Sequence, residues 1–261
     1  MKARTEEFLL FLLWSYDMAS RPTFRNLTDS FESWAYRSGL QRLVEDLERR
    51  KFVESQKGPK STERLVRLTE AGRLRALGDR DPEKLWHRAW DGKWRLVMFD
   101  VPNERGIERR RLWYYLRQRG FGCLQRSVWI SPDPLTEQQD ALKKSSPNAK
   151  MLTLLEATTC GGESPEDIVA SAWNFNEINA HYTDYMNVLE NRPSGAVTNL
   201  ATANAMRKWA SDERAAWDLA ASSDPFLPQQ LLPRDYLGMK AWQARLQSMA
   251  HAGKQIRSFK P

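Results

Sequence analysis

Residues that build metal centres and disulfide frameworks are scarce in this sequence. Its 261 residues include two cysteines, Cys123 and Cys160, and three histidines. The cysteines form no CxxC pair and lie far apart along the chain. We therefore expect neither a disulfide framework nor a structural zinc site, and we expect a reducing, cytoplasmic compartment.

Long apolar runs are also missing. The run FLLFLLW at residues 8–14 is too short to cross a bilayer. Glu6 and Glu7 precede it, where a signal peptide carries positive charge. The sequence thus predicts neither secretion nor a membrane partner.

The sequence motifs of several common enzyme classes are absent. The chain has no GxSxG, GxGxxG, GxxxxGKS, GxxxxGKT or HExxH. These motifs mark serine hydrolases, dinucleotide-binding proteins, P-loop proteins and zinc proteases. We expect a protein that is not an enzyme, with no catalytic residue, no cofactor and no bound metal.

Basic charge, by contrast, is plentiful and unevenly placed. The formal net charge is +7. Basic side chains outnumber acidic ones over residues 1–150, whereas residues 151–261 are slightly acidic. This distribution predicts that the first part of the chain binds a polyanion, and a merely solvated basic surface is the alternative.

Residues 1–78 show the element order of a winged helix-turn-helix domain. Two helical stretches precede a third, in which Leu43, Val44 and Leu47 fall on one face. A hairpin follows, with KFVESQ and ERLVRL on either side of KGPKS, and Thr69 begins another helix. In such a domain the third helix enters the major groove of DNA and the hairpin contacts the backbone.

These elements supply the candidate DNA-binding residues. Helix side chains would contact base edges, and hairpin side chains would contact phosphates. The candidates are Arg37, Ser38, Gln41, Arg42, Glu45, Lys57, Lys60 and Arg64. A helical domain whose hairpin contacts another protein is the alternative.

The rest of the chain changes pattern twice. Residues 79–92 are predicted to be a connector with Trp86 and Trp90 four positions apart. Residues 93–160 alternate strand and helix, which is typical of a ferredoxin-like α/β sandwich used for dimerisation or ligand binding. Residues 161–261 are mostly helical, interrupted by the proline-rich DPFLPQQLLP. The predicted fold class is therefore α+β: a winged helix-turn-helix, a ferredoxin-like domain and a mostly helical carboxy-terminal domain.

One predicted helix of the middle domain is strongly basic. Seven arginines and one acidic residue fall between Arg105 and Arg126. Arg110, Tyr114 and Arg117 are spaced to share the exposed face of this helix. Contact with DNA, binding of a ligand's phosphates and simple solvation are three open roles for that face.

Three segments carry a resemblance to a known family. WDGKWRLVMFDVP and RGFGCLQRSVWISP in the middle domain, with DPFLPQQLLP further on, resemble the PaaX family of transcriptional repressors of bacterial aromatic-acid catabolism. The resemblance implies a homodimer that binds an inverted-repeat operator in double-stranded DNA. It also implies that a small aromatic acyl-CoA-like effector relieves repression.

An effector of that kind needs aromatic and basic contacts. The candidate ligand-binding residues are Arg110, Arg117, Trp173, Tyr182 and Tyr185. The alternative for the aromatic residues is a place in the hydrophobic core, because they recur at helical spacing.

Asp100 raises a different possibility. MFDVP and LQRSVW are similar to the small endoribonuclease-like subunit of CRISPR adaptation complexes, where the aspartate in the position of Asp100 pairs with its symmetry mate to hold one divalent ion. The alternative function is thus a metal-dependent nuclease or a CRISPR-adaptation-like nucleic-acid-binding subunit. The simpler interpretation is that Asp100 caps the turn that follows it.

Overall fold

The computed structural model describes seven stretches of the chain. These are residues 40–57, 64–77, 80–100, 106–135, 151–158, 162–196 and 200–257. By their contacts they fall into two compact units. The first lies within Met1–Asp81, Asp184–Ala216 and Met239–Pro261, and the second within Pro82–Thr183 and Trp217–Gly238. The four-part division expected from the sequence stays a prediction.

Helices and strands both occur in these stretches. The helices are α1 Leu40–Arg49, α2 Glu70–Ala76, α3 Pro82–Trp86, α4 Gly106–Gln118, α5 Pro165–Ala172, α6 Phe175–Glu190, α7 Leu200–Ser223 and α8 Gly238–Arg257. The strands are β1 Val53–Lys57, β2 Arg64–Leu68, β3 Trp94–Asp100, β4 Gly122–Gln125, β5 Val128–Ser131 and β6 Met151–Ala157. The α+β fold class is therefore confirmed. Within the described residues, no helix combines the length and the apolarity needed to cross a membrane.

In the first unit, α1 is followed by the predicted hairpin and by α2. Val44 and Leu47 bury one face of α1, and β1 pairs antiparallel with β2 along its whole length. Thr69 begins α2, because its hydroxyl accepts the Gly72 N–H at 3.0 Å. The two helices predicted at residues 5–19 and 23–36 lie outside the described residues.

The second unit contains a four-stranded antiparallel sheet in the order β4-β5-β3-β6. Successive residues of β3 point to opposite faces, so Val97 and Phe99 are buried while Asp100 is exposed. Leu112 and Leu116 of α4 are fully buried in the same core. The strand and helix predicted here from apolar periodicity are thus present.

The segment CLQRSVWIS differs from its prediction as a single strand region. It forms two strands, β4 and β5, which pair antiparallel around a turn at Arg126 and Ser127. A bulge between Cys123 and Gln125 adjusts the register. A tight turn is what allows neighbouring segments to pair antiparallel. The helix predicted near residues 135–145 lies outside the described residues.

Helices dominate the last third of the chain, as predicted. Ser164 begins α5 with a capping box: its hydroxyl accepts the Asp167 N–H at 3.2 Å, and the Asp167 carboxylate accepts the Ser164 N–H at 3.2 Å. DPFLPQQLLP is non-helical apart from a 3-10 turn at Gln229–Leu231, because prolines lack the N–H that a helix needs.

Candidate functional site

The candidate DNA-binding residues belong to α1 and the hairpin where the structure describes them. Glu45 is exposed on α1, and Gln41 and Arg42 lie in the same helix. Lys57 and Arg64 are cross-strand partners at the end of the hairpin next to its loop. Arg37, Ser38 and Lys60 lie outside the described residues. The backbone thus places Lys57 and Arg64 at adjacent positions across the hairpin. Their contact with phosphate stays a prediction.

The chain reverses sharply between α1 and β1. Lys51 takes the left-handed conformation, with φ of 59°, and the Phe52 N–H closes the helix end by donating to Leu47 O at 2.9 Å. The Ser55 hydroxyl donates to the Glu48 carboxylate. These contacts fix the direction in which the hairpin leaves the helix, and the sequence analysis did not predict them.

The two sides of α4 differ sharply in exposure. Leu112 and Leu116 are fully buried, whereas Arg110 and Arg117 are exposed and Tyr114 is 65% exposed. The expectation that these last three residues share an exposed face is therefore confirmed. Their functional role stays a prediction.

The three aromatic residues predicted as ligand contacts are buried. In the second unit, the Trp173 indole donates to Gly120 O at 3.1 Å and the Tyr182 hydroxyl donates to Asp224 at 2.6 Å. In the first unit, the Tyr185 hydroxyl donates to Glu213 at 2.7 Å. Burial raises the pKa of both tyrosines, and the nearby carboxylate raises it further. Both hydroxyls therefore stay protonated and act as hydrogen-bond donors.

A shallow cavity of about 340 Å³ adjoins one of these aromatic residues. Residues 170–176, at the junction of α5 and α6, line it, and Trp173 forms part of its wall. The exposed Asn174 and Asn176 add polar groups to the same short stretch. The exposed lining of the cavity is mostly polar, and Trp173 is largely buried, so the cavity offers a small molecule more polar than aromatic surface.

A buried hydrogen-bond network surrounds Asp224, which begins the DPFLP segment. The carboxylate is 1% exposed and accepts hydrogen bonds from the hydroxyls of Tyr182 and Tyr236 and from the Phe226 N–H. The Trp86 indole donates to the Tyr236 hydroxyl at 3.0 Å. DPFLP is a recognisable motif in the sequence, but nothing local indicates a role for Asp224, because its partners are up to 42 positions away.

Arg95 is a buried cation in β3, and the sequence does not predict its role. It is 3% exposed and donates to Asp91 at 2.7 Å, to Glu156 at 3.1 Å and to Pro132 O at 3.0 Å. The hydrogen bond from this guanidinium lowers the pKa of Asp91 to about 2. In the sequence, the only sign of this role is that one charged residue, Arg95, lies inside an otherwise apolar strand.

Asp100 ends β3 with an exposed side chain. Its cross-strand partner is Met151 of β6. The turn that Asp100 was expected to cap falls at residues 101–105, which lie outside the described residues. In the part of the chain that the structure describes, no cluster of three or more His, Cys, Asp or Glu side chains is placed to hold a metal ion. Metal binding by Asp100 stays a hypothesis.

The central part of the chain matches a known domain. Residues 87–169 match the family model described as the PaaX protein central Cas2-like domain. No significant match was found among curated protein sequences.

A solved structure has a similar fold. The uncharacterized protein Rv0674 from Mycobacterium tuberculosis aligns over 97% of both chains with a TM-score of 0.57 and 19% sequence identity. At that identity the alignment shows a shared fold and nothing about activity. The match over residues 87–169, about a third of the chain, confirms at the level of that central domain the resemblance to the PaaX family that the sequence motifs predict.

Proposed function

We propose that this protein is a transcriptional repressor that binds a DNA operator as a homodimer. The match of residues 87–169 to the PaaX central domain carries the proposal. The order of α1, β1, β2 and α2 supports it, since a helix followed by a hairpin is the arrangement of a winged helix-turn-helix. Cytoplasmic localisation is part of the proposal.

In this proposal the central sheet belongs to a ferredoxin-like domain. Its described elements follow the order strand, helix, strand, strand, strand, and every neighbouring pair is antiparallel, which agrees with that topology. The domain would join two copies about a twofold axis. A twofold-symmetric protein recognises two half-sites as an inverted repeat.

Each winged helix contributes two kinds of contact. Ser38, Gln41 and Arg42 would contact base edges in the major groove, together with Glu45. Arg37, Lys57, Lys60 and Arg64 would contact phosphates. The adjacent positions of Lys57 and Arg64 on the hairpin support this division.

The proposed effector is a small aromatic acyl-CoA-like molecule. In this proposal the aromatic group binds in the cavity beside Trp173. Tyr182 and Tyr185 use their hydroxyls in buried hydrogen bonds, so direct contact with the effector would require those bonds to rearrange. The exposed Arg110 and Arg117 suit phosphate groups, whether of CoA or of DNA.

The decisive experiment is selection of genomic DNA fragments by the purified protein, in EDTA and about 150 mM salt with excess competitor DNA. We expect enrichment of a short inverted repeat upstream of one operon. Retention without sequence preference would contradict the repressor.

Two measurements refine a positive result. If three to five basic side chains per half-site contact phosphate, log affinity should fall against log salt with a slope of about −5 to −9. Arg42→Ala should cost about 1–3 kcal/mol on the operator and relax preference at one base pair. An equal loss on all sequences would make Arg42 a phosphate contact.

The metal-dependent nuclease is the second candidate, because the matched domain is described as Cas2-like and Asp100 is exposed at the end of β3. Cleavage of DNA or RNA with added Mg²⁺ that disappears in Asp100→Ala would support it. Unchanged operator binding by the same variant, with no cleavage in the wild type, would support the repressor.

A further inference from the structure

The exposed side of α4 presents arginines and apolar groups together. Ile107, Arg110, Tyr114 and Arg117 follow one another at intervals of three, four and three residues, so they form one strip along the helix. Arg111 is exposed on the adjoining strip. We call these five residues the basic face.

The basic face is fixed in direction by the opposite side of the helix. Leu112 and Leu116 are fully buried against the sheet, which leaves the helix no freedom to rotate. Arg110 and Arg117 are separated by seven residues, or about 10.5 Å along the axis. Measured along the axis of duplex DNA, that length spans about three base pairs, at about 3.4 Å of axial rise per phosphate of one strand.

The turn between β4 and β5 extends the same surface. The Trp113 indole donates to Arg126 O at 3.1 Å, which holds the turn against α4, and the Arg126 side chain is exposed. Among the described residues, no carboxylate forms an ion pair with Arg110, Arg111, Arg117 or Arg126. Four guanidinium groups therefore share one surface with their charge uncompensated by the described residues.

Two apolar side chains lie within this charged surface. Ile107 is 60% exposed and Tyr114 is 65% exposed, and the Tyr114 hydroxyl is available to donate a hydrogen bond. Arginine and tyrosine are frequent phosphate-contacting side chains, and their stems supply apolar contact along the backbone. A second copy of the same face is a poor occupant, because a twofold axis would bring like charges together.

We propose that the basic face and Arg126 bind the phosphodiester backbone of duplex DNA, as a second contact that is independent of base sequence and separate from the winged helix. The inference rests on the proposed DNA-binding function and deepens it. The surface would increase affinity for operator and non-operator DNA alike. It would also make log affinity fall more steeply with log salt concentration than contacts of the winged helix alone would.

The test compares Arg110→Gln/Arg117→Gln with Arg207→Gln/Arg234→Gln in the full-length protein. All four arginines are exposed, and both double variants lose two positive charges. Fluorescence anisotropy from 50 to 200 mM salt would measure binding to the selected operator and to a scrambled duplex of equal length. Relative to the control, we expect Arg110→Gln/Arg117→Gln to lose about 10- to 100-fold in affinity for both duplexes at about 100 mM salt. Because a homodimer loses four arginines, its slope of log affinity against log salt should be shallower by about 3 to 4.

Several outcomes would overturn the inference. One such outcome is a slope of log affinity against log salt equal to that of the control variant. Another is a loss of affinity confined to the operator. Either would show that the basic face does not bind the DNA backbone. Retained DNA binding with weakened binding of an aromatic acyl-CoA would assign the arginines to the effector. Thermal unfolding of each variant checks the fold, and Arg111→Gln/Arg126→Gln provides a second test if the first pair is unstable.

The same data separate this inference from the repressor proposal. If the wild type shows no preference for any sequence but the basic-face variant still has the shallower slope, the repressor fails and the second surface stands. If the wild type binds neither duplex at the lowest salt, both fail.

Discussion

Arginines in the second unit occupy two opposite environments. Arg95 in β3 is 3% exposed and directs its donors at two carboxylates and at backbone carbonyls. Arg110 and Arg117 in α4 are exposed and have no ion-pair partner among the described residues. Arg95 stabilises the fold through contacts within the chain, whereas Arg110 and Arg117 are available to bind an external anion.

The difference in exposure and pairing means that separate arginines of the second unit contribute to its stability and to binding. A buried polar group that loses its partner carries the full desolvation penalty, whereas an exposed one is solvated by water. Substitutions in the buried networks should therefore change the free energy of unfolding. Substitutions on the basic face should change affinity for DNA and leave stability nearly unaltered.

The largest effect is expected for Asp224→Ala. Removing this carboxylate leaves the Tyr182 and Tyr236 hydroxyls and the Phe226 N–H without their acceptor in a buried site. We expect a loss of about 3–5 kcal/mol in the free energy of unfolding, measured by urea denaturation. The exposed Asp235→Ala is the control, and equal stability of the two variants would contradict the role given to Asp224.

The two sides of α4 allow the comparison to be made on a single helix. Leu112→Ala should destabilise the protein by about 2–5 kcal/mol, because it leaves a cavity in the core. Arg110→Gln should change stability by less than about 0.5 kcal/mol. A large loss of stability for Arg110→Gln would mean that this side chain holds the fold together and would weaken its assignment to a partner.

A smaller effect is expected where the second unit is tightly packed around glycine. A Cβ at Gly122 would lie 2.6 Å from the Trp173 ring and 2.7 Å from Ala172 Cβ, so Gly122→Ala should cost about 1–3 kcal/mol through overpacking. At Gly106 the nearest atom to an added Cβ is 3.8 Å away. Gly106→Ala is therefore the matched control and should be neutral or slightly stabilising in thermal unfolding.

The smallest effect concerns pH. The Arg95 guanidinium lowers the pKa of Asp91 from 3.8 to about 2, so the folded state favours the ionised carboxylate. Its contribution to stability is present above about pH 4 and is lost as pH falls toward 2. The stability difference between wild type and Asp91→Asn should stay constant above about pH 5 and narrow below pH 4, as measured by urea denaturation. A difference that does not change with pH would contradict the ion pair.

Local patterns predicted the elements of this protein well. The apolar spacing of Val44 and Leu47 identified α1, and that of Leu112 and Leu116 identified α4 with its exposed arginines. The hairpin of β4 and β5 was missed because its turn consists of Arg126 and Ser127. It contains no glycine, proline, asparagine or aspartate, and a single serine is a weak turn signal.

Contacts between distant positions were not predictable in the same way. Tyr182 and Tyr185 were predicted as ligand contacts from their aromatic character, but their hydroxyl acceptors, Asp224 and Glu213, come from other parts of the chain. No local periodicity in the sequence indicates which distant carboxylate a tyrosine hydroxyl will contact. Whether an aromatic side chain faces a carboxylate or a cavity depends on tertiary packing, which one sequence does not display.

The noncontiguous second unit has a consequence for how the protein is made. Residues 82–183 and 217–238 form this unit together, and Asp224 supplies the acceptor that Tyr182 requires. A ribosome releases the sheet and α4 long before the DPFLP segment emerges. The second unit therefore cannot complete its core until residues 217–238 have been synthesised. A gene fragment that ends before residue 217 encodes a polypeptide whose incomplete core is exposed to chaperones and proteases.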